Sequence, residues 1–564
     1  MKIPLLLLAC SATFAAEATL EIKVDQAGYL PAAPKIAVVA AQKPATEFLV
    51  RRSAGDVIRW HGKLRAVRPD ADSGDAVQLA DFSALSEPGR YYLEVPGVGR
   101  SWNFSIGADV YQRVYYLAMR SYYGQRCGTA VDLGPEFPGF RHDACHLEGA
   151  WHASSGKTGP RASHGGWHDA GDYGRYVVNS GITTGTLLWT WEMFGARVSP
   201  IKLNIPESGN GTPDILSEIK WNLDWMLSMQ DDDGGVWPKQ ASERFCGFVM
   251  PEKDTLMSYV MGTGQEPYKS SCATADFAAV MAIAARVFRP FDHAYADRSL
   301  AAARKAWGWV EKHPDVTFHN PPGVNTGEYG DDNCADERLW AAAELWRTTG
   351  DAPYENYFLA HYAEFHTTAT RPQWWSKVAN LALWTYVLGG GKNAAATSAI
   401  RQESLAAADQ IVERTLANGY HVSLIGKDYE WGSNGNVANY GMQLLVANAF
   451  HPDPRYRNAA LENLHYLLGR NTFSLSFVTQ VGEHPYRHPH HRPSAANKDL
   501  GAWPGLLSGG PNPERADAAA KKLPPGLPPA KVYVDDEGSY STNEIAINWN
   551  APLVFLLAAA LPGQ

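Results

Sequence analysis

Asp169 and Asp172 stand three residues apart in the stretch Gly165 to Tyr176, GGWHDAGDYGRY. Two close carboxylates repel when both are ionised, so such a pair is solvated, bound to a metal, or used to hold and deprotonate a water. The plain alternative is a loop with helix-capping aspartates. Near the other end, in Tyr533 to Leu553, Glu544 sits just before an apolar stretch, with Tyr540, Asn543, Asn548 and Asn550 around it. A carboxyl among apolar and aromatic neighbours keeps its proton, which is what a general acid at neutral pH needs. Its plain alternative is a helix N-terminal carboxylate that complements the macrodipole.

Three further clusters carry chemistry. His484 to Ser494, HPYRHPHHRPS, packs four histidines and two arginines together. Such side chains donate to hydroxyls or orient a carboxylate, and the interleaved prolines argue against dense metal ligation. Cys127, Cys145 and His146, with His168 or its competitor His164, supply the two thiolates and two imidazoles of a closed tetrahedral zinc site. Thr326 to Leu345 gathers Asp331, Asp332, Asn333, Asp336 and Glu337, oxygen donors that suit calcium or, equally, the start of a helix. Beyond Cys10 there are five cysteines, too few for a disulfide scaffold. The odd count is easier to explain if some thiols bind metal, and Cys246 with Cys272 is a candidate disulfide.

The elements that must position these groups change in texture along the chain. From Leu20 to about Ile106 the segments LEIKV, KIAVVAA, EFLVRR, VIRWHGKL, RYYLEV and WNFSIG alternate with turn-rich links, the pattern of a small β-sandwich. It holds no acid, base or nucleophile cluster, and is read as structural, with carbohydrate binding as the minor alternative. After Ala108, helix-period segments recur: Asp214 to Met229, Asp276 to Phe288, Asp336 to Arg347, Lys377 to Leu388, Ala399 to Leu416, Arg457 to Leu468 and Trp549 to Leu561. Long loops rich in Gly, Pro and Asn join them and carry most of the polar motifs. No clean internal repeat is visible.

The 564 residues, 45% of them hydrophobic, are enough for more than one core. A net charge of −9 leaves no basic footprint for nucleic acid. With 19 Trp and 26 Tyr against only 19% charged residues, flat apolar rings that suit sugar faces are plentiful. Met1-Lys2 and the apolar run from Ile3 to about Ala16 form a secretory leader, expected to be cleaved near Ala15 to Ala18, with lipidation of Cys10 as the alternative. No other run approaches a membrane span.

Together these blocks resemble glycoside hydrolase family 9, the cellulase family with an (α/α)6 barrel. GGWHDAGDYGRYVVNSG is similar to its aspartate motif, HPHHR to its His-Arg signature and YVDDEGSYSTNEIAINWNA to its glutamate signature, while VDQAGYLP resembles the start of the immunoglobulin-like domain that precedes many members. With the leader taken as residues 1–17, the resemblance implies an immunoglobulin-like β-sandwich at 18–107 and a mostly α catalytic barrel at 108–564. It implies inverting, endo-acting hydrolysis of β-1,4-glucosidic bonds in cellulose or related β-glucans; the leader implies a secreted or periplasmic protein, which is expected to be a monomer. Asp172 would be the general base, Asp169 would help hold the water, and Glu544 would be the general acid. His490 and Arg492 match sugar-contacting positions, Tyr540 matches an aromatic of the glutamate signature, and Trp340, Trp374 and Trp431 are weaker platform candidates, each equally a core residue. Members with the sandwich often carry structural zinc and calcium. This supports Cys127, Cys145, His146 and His168 for zinc and Asp332, Asn333, Asp336 and Glu337 for calcium. Where some relatives add a calcium carboxylate, this chain has Asn380. The alternatives are an exo-acting glucosidase or glucosaminidase on cello- or chito-oligosaccharides and, against the presence of all three carboxylates, a non-catalytic glucan-binding protein.

Overall fold

Alternating apolar residues near the start of the chain close two facing sheets. The computed structural model describes residues 17–563, so the apolar leader and Cys10 lie outside the described residues. One sheet orders the strands Ile22–Lys23, Ile36–Val39, Ala76–Asp81 and Arg68–Pro69. The other runs Gly28–Tyr29, Phe104–Ile106, Gly89–Val95, Glu47–Arg52 and Val57–Lys63, with Gly99–Arg100 paired to Gly89–Val95. Val50, Tyr91, Leu93 and Phe104 fill the space between them, a core separate from that of the helices.

The rest is helical. Outer helices α1 (Gln112–Gly124), α3 (Asp214–Ser228), α5 (His293–Val310), α7 (Ala352–His361), α9 (Ala394–Ala417) and α11 (Pro454–Leu467) alternate with inner helices. The inner set is α2 (Val177–Val198), α4 (Ser271–Phe288), α6 (Ala335–Thr349), α8 (Ala379–Leu388), α10 (Ser433–Phe450) and, after the short α12 (Arg492–Ala496) and α13 (Tyr540–Asn543), α14 (Ile547–Ala560). The inner helices pack in the succession α2–α4–α6–α8, α9 bridges α8 to α10, and α10–α14–α2 closes the ring, making an (α/α)6 barrel.

The two rings differ in composition for a physical reason. α3 buries Ile215, Ile219, Leu223 and Met226 along one stripe and leaves its other face to solvent. α2 is buried on every side from Val177 to Thr190, so small and apolar residues, among them Gly181, Gly185 and four threonines, follow one another without a stripe. α4 is long and apolar enough to cross a membrane, but it is buried between the outer helix α5 and its inner neighbours α2 and α6. Three of the outer helices begin on side-chain caps: in α5 Asp292 accepts from the Tyr295 N–H, in α9 Asn393 from the Ala396 N–H, and in α11 Asp453 from the Arg455 N–H.

A buried polar seam joins sandwich to barrel. Asp25 takes the backbone N–H groups of Ala27 and Gly28 on one oxygen, and on the other meets Tyr111 Oη at 3.2 Å and His465 Nδ1 at 2.8 Å. Both Asp25 and His465 are withdrawn from solvent. The disulfide expectation is corrected here: Cys272, at the start of α4, bonds Cys334, just before α6, with Cα atoms 4.6 Å apart, and Cys246 is a free thiol on the loop after Ala241.

Candidate active site

A five-stranded sheet at one end of the barrel presents the Gly165–Tyr176 motif. Its order is Pro160–Ala162, Glu148–Trp151, Ser258–Met261, Lys239–Ala241 and Arg175–Tyr176, so the strand that leaves the motif is locked at the edge before α2 begins. The motif loop is pinned from both sides: His168 N–H donates to Gln125 O at 2.7 Å and Asp169 O accepts from Ile547 N–H at 2.9 Å. Gly171 is required by packing, since a Cβ there would lie 2.1 Å from His490 O.

Those constraints aim the two aspartates differently. Asp169, almost fully buried, receives Asn179 Nδ2 on Oδ1 at 2.6 Å and Tyr329 Oη on Oδ2 at 2.5 Å. Burial, then the charge of Asp172, pushes its carboxyl up to about 8, which favours a pair carrying a single negative charge. Asp172 receives Gly174 N–H at 3.0 Å and Tyr176 Oη at 3.1 Å, both on Oδ2. Among the described residues no hydrogen bond occupies its Oδ1, the oxygen left for a water.

Glu544 arrives from the far end of the chain. It follows α13 directly, its backbone bridges to His490, and its carbonyl accepts from Gly509 N–H at 2.7 Å. The N–H of Gly171 faces its carboxyl, so the acid and base candidates lie about one glycine. Burial, followed by the charge of Asp172, raises the Glu544 carboxyl well above the ordinary range.

A cleft of about 700 Å³ is lined by Asp169, Asp172 and Glu544 together with Tyr329, Trp374, Trp375, Trp431, His490, Arg492 and Tyr540. His490 Nδ1 lies 2.6 Å from Glu537 O, so Nδ1 carries the proton; burial lowers the ring's pKa and leaves Nε2 as an acceptor. Arg492 gives Nη1 to Gly171 O at 2.7 Å and Nε and Nη2 to Cys246 O, clamping the motif to the following loop. Tyr540 is tied through its hydroxyl to Ala516 O, and its ring lies 5.3 Å from that of Trp431. Trp340 takes the core reading of its two: it is fully buried on α6 and donates to Glu344. Tyr329, Asn179, Trp375 and Lys239 escaped the reading of the sequence. Tyr329 lies in a stretch read only for calcium, Asn179 lies inside the quoted aspartate motif without having been singled out, Trp375 adjoins Trp374, and nothing local marks Lys239.

The four zinc candidates converge. Cys127 Sγ is 3.8 Å from His146 Nδ1, Cys145 Sγ is 3.8 Å from His168 Nε2, and all four donor atoms lie within 4.8 Å of one another. Tetrahedral zinc with ordinary bond lengths places S and N about 3.6 Å apart, so the set fits. His146 Nε2 is backed by Asp254 at 3.3 Å, the second partner a ligating histidine needs. His164 is exposed and outside the cluster.

The calcium candidates separate into an exposed pair and a buried pair. Asp332 and Asn333 are exposed, the first beside His319 and the second accepting from Ala335 N–H. The helical turn that follows rotates Asp336 and Glu337 inward, where Asp336 accepts from Val378 N–H. Both oxygens of Glu337, both of Asp276 and Asp331 Oδ2 are buried without a hydrogen-bond partner. Burial, then neighbouring carboxylates, raises Asp276 and Glu337 well above the carboxylate range. Orphaned oxygens of this kind suit a hard cation.

The model of glycosyl hydrolase family 9 matches residues 111–557, and that of the cellulase N-terminal ig-like domain matches residues 17–100. Endoglucanase D of Acetivibrio thermocellus is 40% identical over 95% of this chain and 83% of its own. A cellodextrinase of Butyrivibrio fibrisolvens is 36% identical over 96% of this chain and 100% of its own. The crystal structure of GH family 9 endoglucanase J30 superposes with a TM-score of 0.89 at 37% identity, covering 95% of this chain and all of that one.

Proposed function

This chain belongs to glycosyl hydrolase family 9, and from that premise we propose that it is an inverting endo-β-1,4-glucanase whose acid and base are Glu544 and Asp172. The observation that carries the reading is the meeting, across Gly171, of a carboxylate with an open oxygen and a carboxyl that burial keeps protonated. Inversion needs an acid on one side of the scissile bond and a base on the other, with room for water between. Asp172 Oδ1 takes the proton of the attacking water. Asp169, held by Asn179 and Tyr329, helps orient that water. Glu544 protonates the departing glycosidic oxygen. His490 Nε2 accepts from a sugar hydroxyl, and Trp374, Trp431 and Tyr540 offer ring faces to the glucan.

Two structural metals complete the proposal. Zinc at Cys127, Cys145, His146 and His168 would crosslink the end of α1 to the residue before Asp169, supplying rigidity rather than a reacting centre. Calcium would use Asp276, Asp331, Asp336 and Glu337 and neutralise their buried charge. We also assign export to the leader and a monomeric state; an intact leader on the mature chain, or a dimer mass by light scattering, would remove them.

A time course on a soluble β-glucan tests the reading. Rapid viscosity loss with little reducing sugar is expected, whereas release of single sugars without viscosity loss would replace it with an exo-acting enzyme. Asp172→Asn should lose about 10²- to 10⁴-fold in rate, the usual span for a lost general base. Rescue of that variant by azide with formation of an α-glycosyl azide would support its role, and near-normal turnover would end it.

A further inference from the structure

Lys239 is 1% exposed and lies on the strand that pairs with Arg175–Tyr176, directly opposite Tyr176. A buried ammonium needs acceptors for its protons. Lys239 Nζ donates to Asn320 Oδ1 and Gly327 O, each at 2.7 Å, and to Thr326 O at 3.3 Å. All three acceptors belong to the loop that carries Tyr329, whose hydroxyl holds Asp169. The same ammonium sits 5.4 Å from the centre of the Tyr176 ring, and the Tyr176 hydroxyl holds Asp172. The rings of Tyr176 and Tyr329 touch, with centres 4.7 Å apart. One side chain thus lies behind both tyrosine hydrogen bonds to the aspartate pair.

The charges around it point the same way. Lys239 faces Asp172 and Glu328, and these are the charged groups that act on it. Tyr176 and Arg175 on the adjacent strand, Tyr259 on the other neighbour, and His319 and Tyr329 on the loop complete its titratable surroundings. Arg175 spends its guanidinium on Ser163 and Gly165, and Arg492 on Gly171 and Cys246. Neither cation is bonded to a carboxylate of the cleft.

Resting on the hydrolase reading, we propose that Lys239 is a positioning residue of the reaction: its ammonium ties the Tyr329 loop across the base side of the cleft and supplies the positive charge that Asp172 faces. Burial draws Lys239 down to about 7, so the ammonium is intact throughout the acidic range in which a carboxylate base ionises. Removing an opposite charge makes a carboxylate harder to ionise, so the acid limb of the rate profile should move to higher pH.

The test compares wild type with Lys239→Met, Lys239→Gln and Lys239→Arg on a soluble β-glucan across pH, with thermal melting alongside. The two neutral variants should lose about tenfold or more in kcat with little change in KM, and their acid limb of kcat/KM should rise by about 0.5 to 1 pH unit. Lys239→Arg should return the limb toward its wild-type position. Lys239→Gln keeps a donor for the loop carbonyls, so it separates charge from folding if Lys239→Met fails to fold. A neutral variant that melts with the wild type and keeps the wild-type limb overturns the proposal, as does a rate loss shared equally by all three variants. Wild-type protein inactive on every β-glucan sinks the hydrolase reading instead, so the two failures are distinguishable.

Discussion

Replacing Glu544 by glutamine keeps the shape of the side chain and removes its proton, and two opposite consequences follow. General acid catalysis typically contributes about 10²- to 10⁴-fold, or roughly 2.7 to 5.4 kcal/mol of barrier, so turnover of a glucan should fall by that factor. A substrate with an aryl leaving group that departs without a proton should suffer far less. Stability should move the other way. The folded protein binds the Glu544 proton more tightly than the unfolded chain does, because burial and then Asp172 raise its affinity. The resulting stabilisation is complete below the unfolded value, about 4.3, and is lost as pH rises toward the folded one, at about 1.4 kcal/mol per pH unit. An amide never ionises, so Glu544→Gln should melt with the wild type near pH 4 and increasingly above it as pH rises. Reducing-sugar rates on glucan and aryl cellobioside, with calorimetric melting from pH 4 to 8, measure both effects. A variant with more than a tenth of wild-type glucan turnover is not missing the acid. A melting difference that stays constant with pH would refute the claim that burial holds the proton.

Removing His465 as His465→Phe leaves Asp25 buried with one partner fewer, and should cost about 3 to 5 kcal/mol by denaturant unfolding; a loss under about 1 kcal/mol would show that the sandwich seam is not coupled to the barrel. Paired Cys272→Ser and Cys334→Ser removes a link across 62 residues, worth about 4 kcal/mol of loop entropy, and an unchanged melting temperature under oxidising conditions would show that the bond does not form. Chelation should lower the unfolding temperature more than the initial rate, and carefully purified protein without zinc would end the assignment.

Legibility followed the range of the interaction. The three ordered motifs could be read because their functional groups are packed into short stretches, and α3, α9 and α11 because each has one wet face and one dry one. Buried inner helices give no period: α4, α8 and α14 were read from their apolar runs, whereas α2 and α10, where polar and small residues interrupt the run, went unread together with the outer α1, α5 and α7. The zinc quartet was readable from residue type, whereas the choice of His168 over His164 needed the loop to be placed.

The amino-acid sequence by itself determined the carboxylates, the thiol and imidazole donors, the β-then-α order of the chain and the family. Only the tertiary structure decided which groups meet. It brought Asp276 to Asp331 and Glu337, paired Cys272 with Cys334 rather than Cys246, sent Trp340 into the core, and set Lys239 behind Tyr176 and Tyr329. Each of these contacts spans tens of residues or more. Local propensity cannot encode them; they exist because closing the barrel folds those segments onto one another.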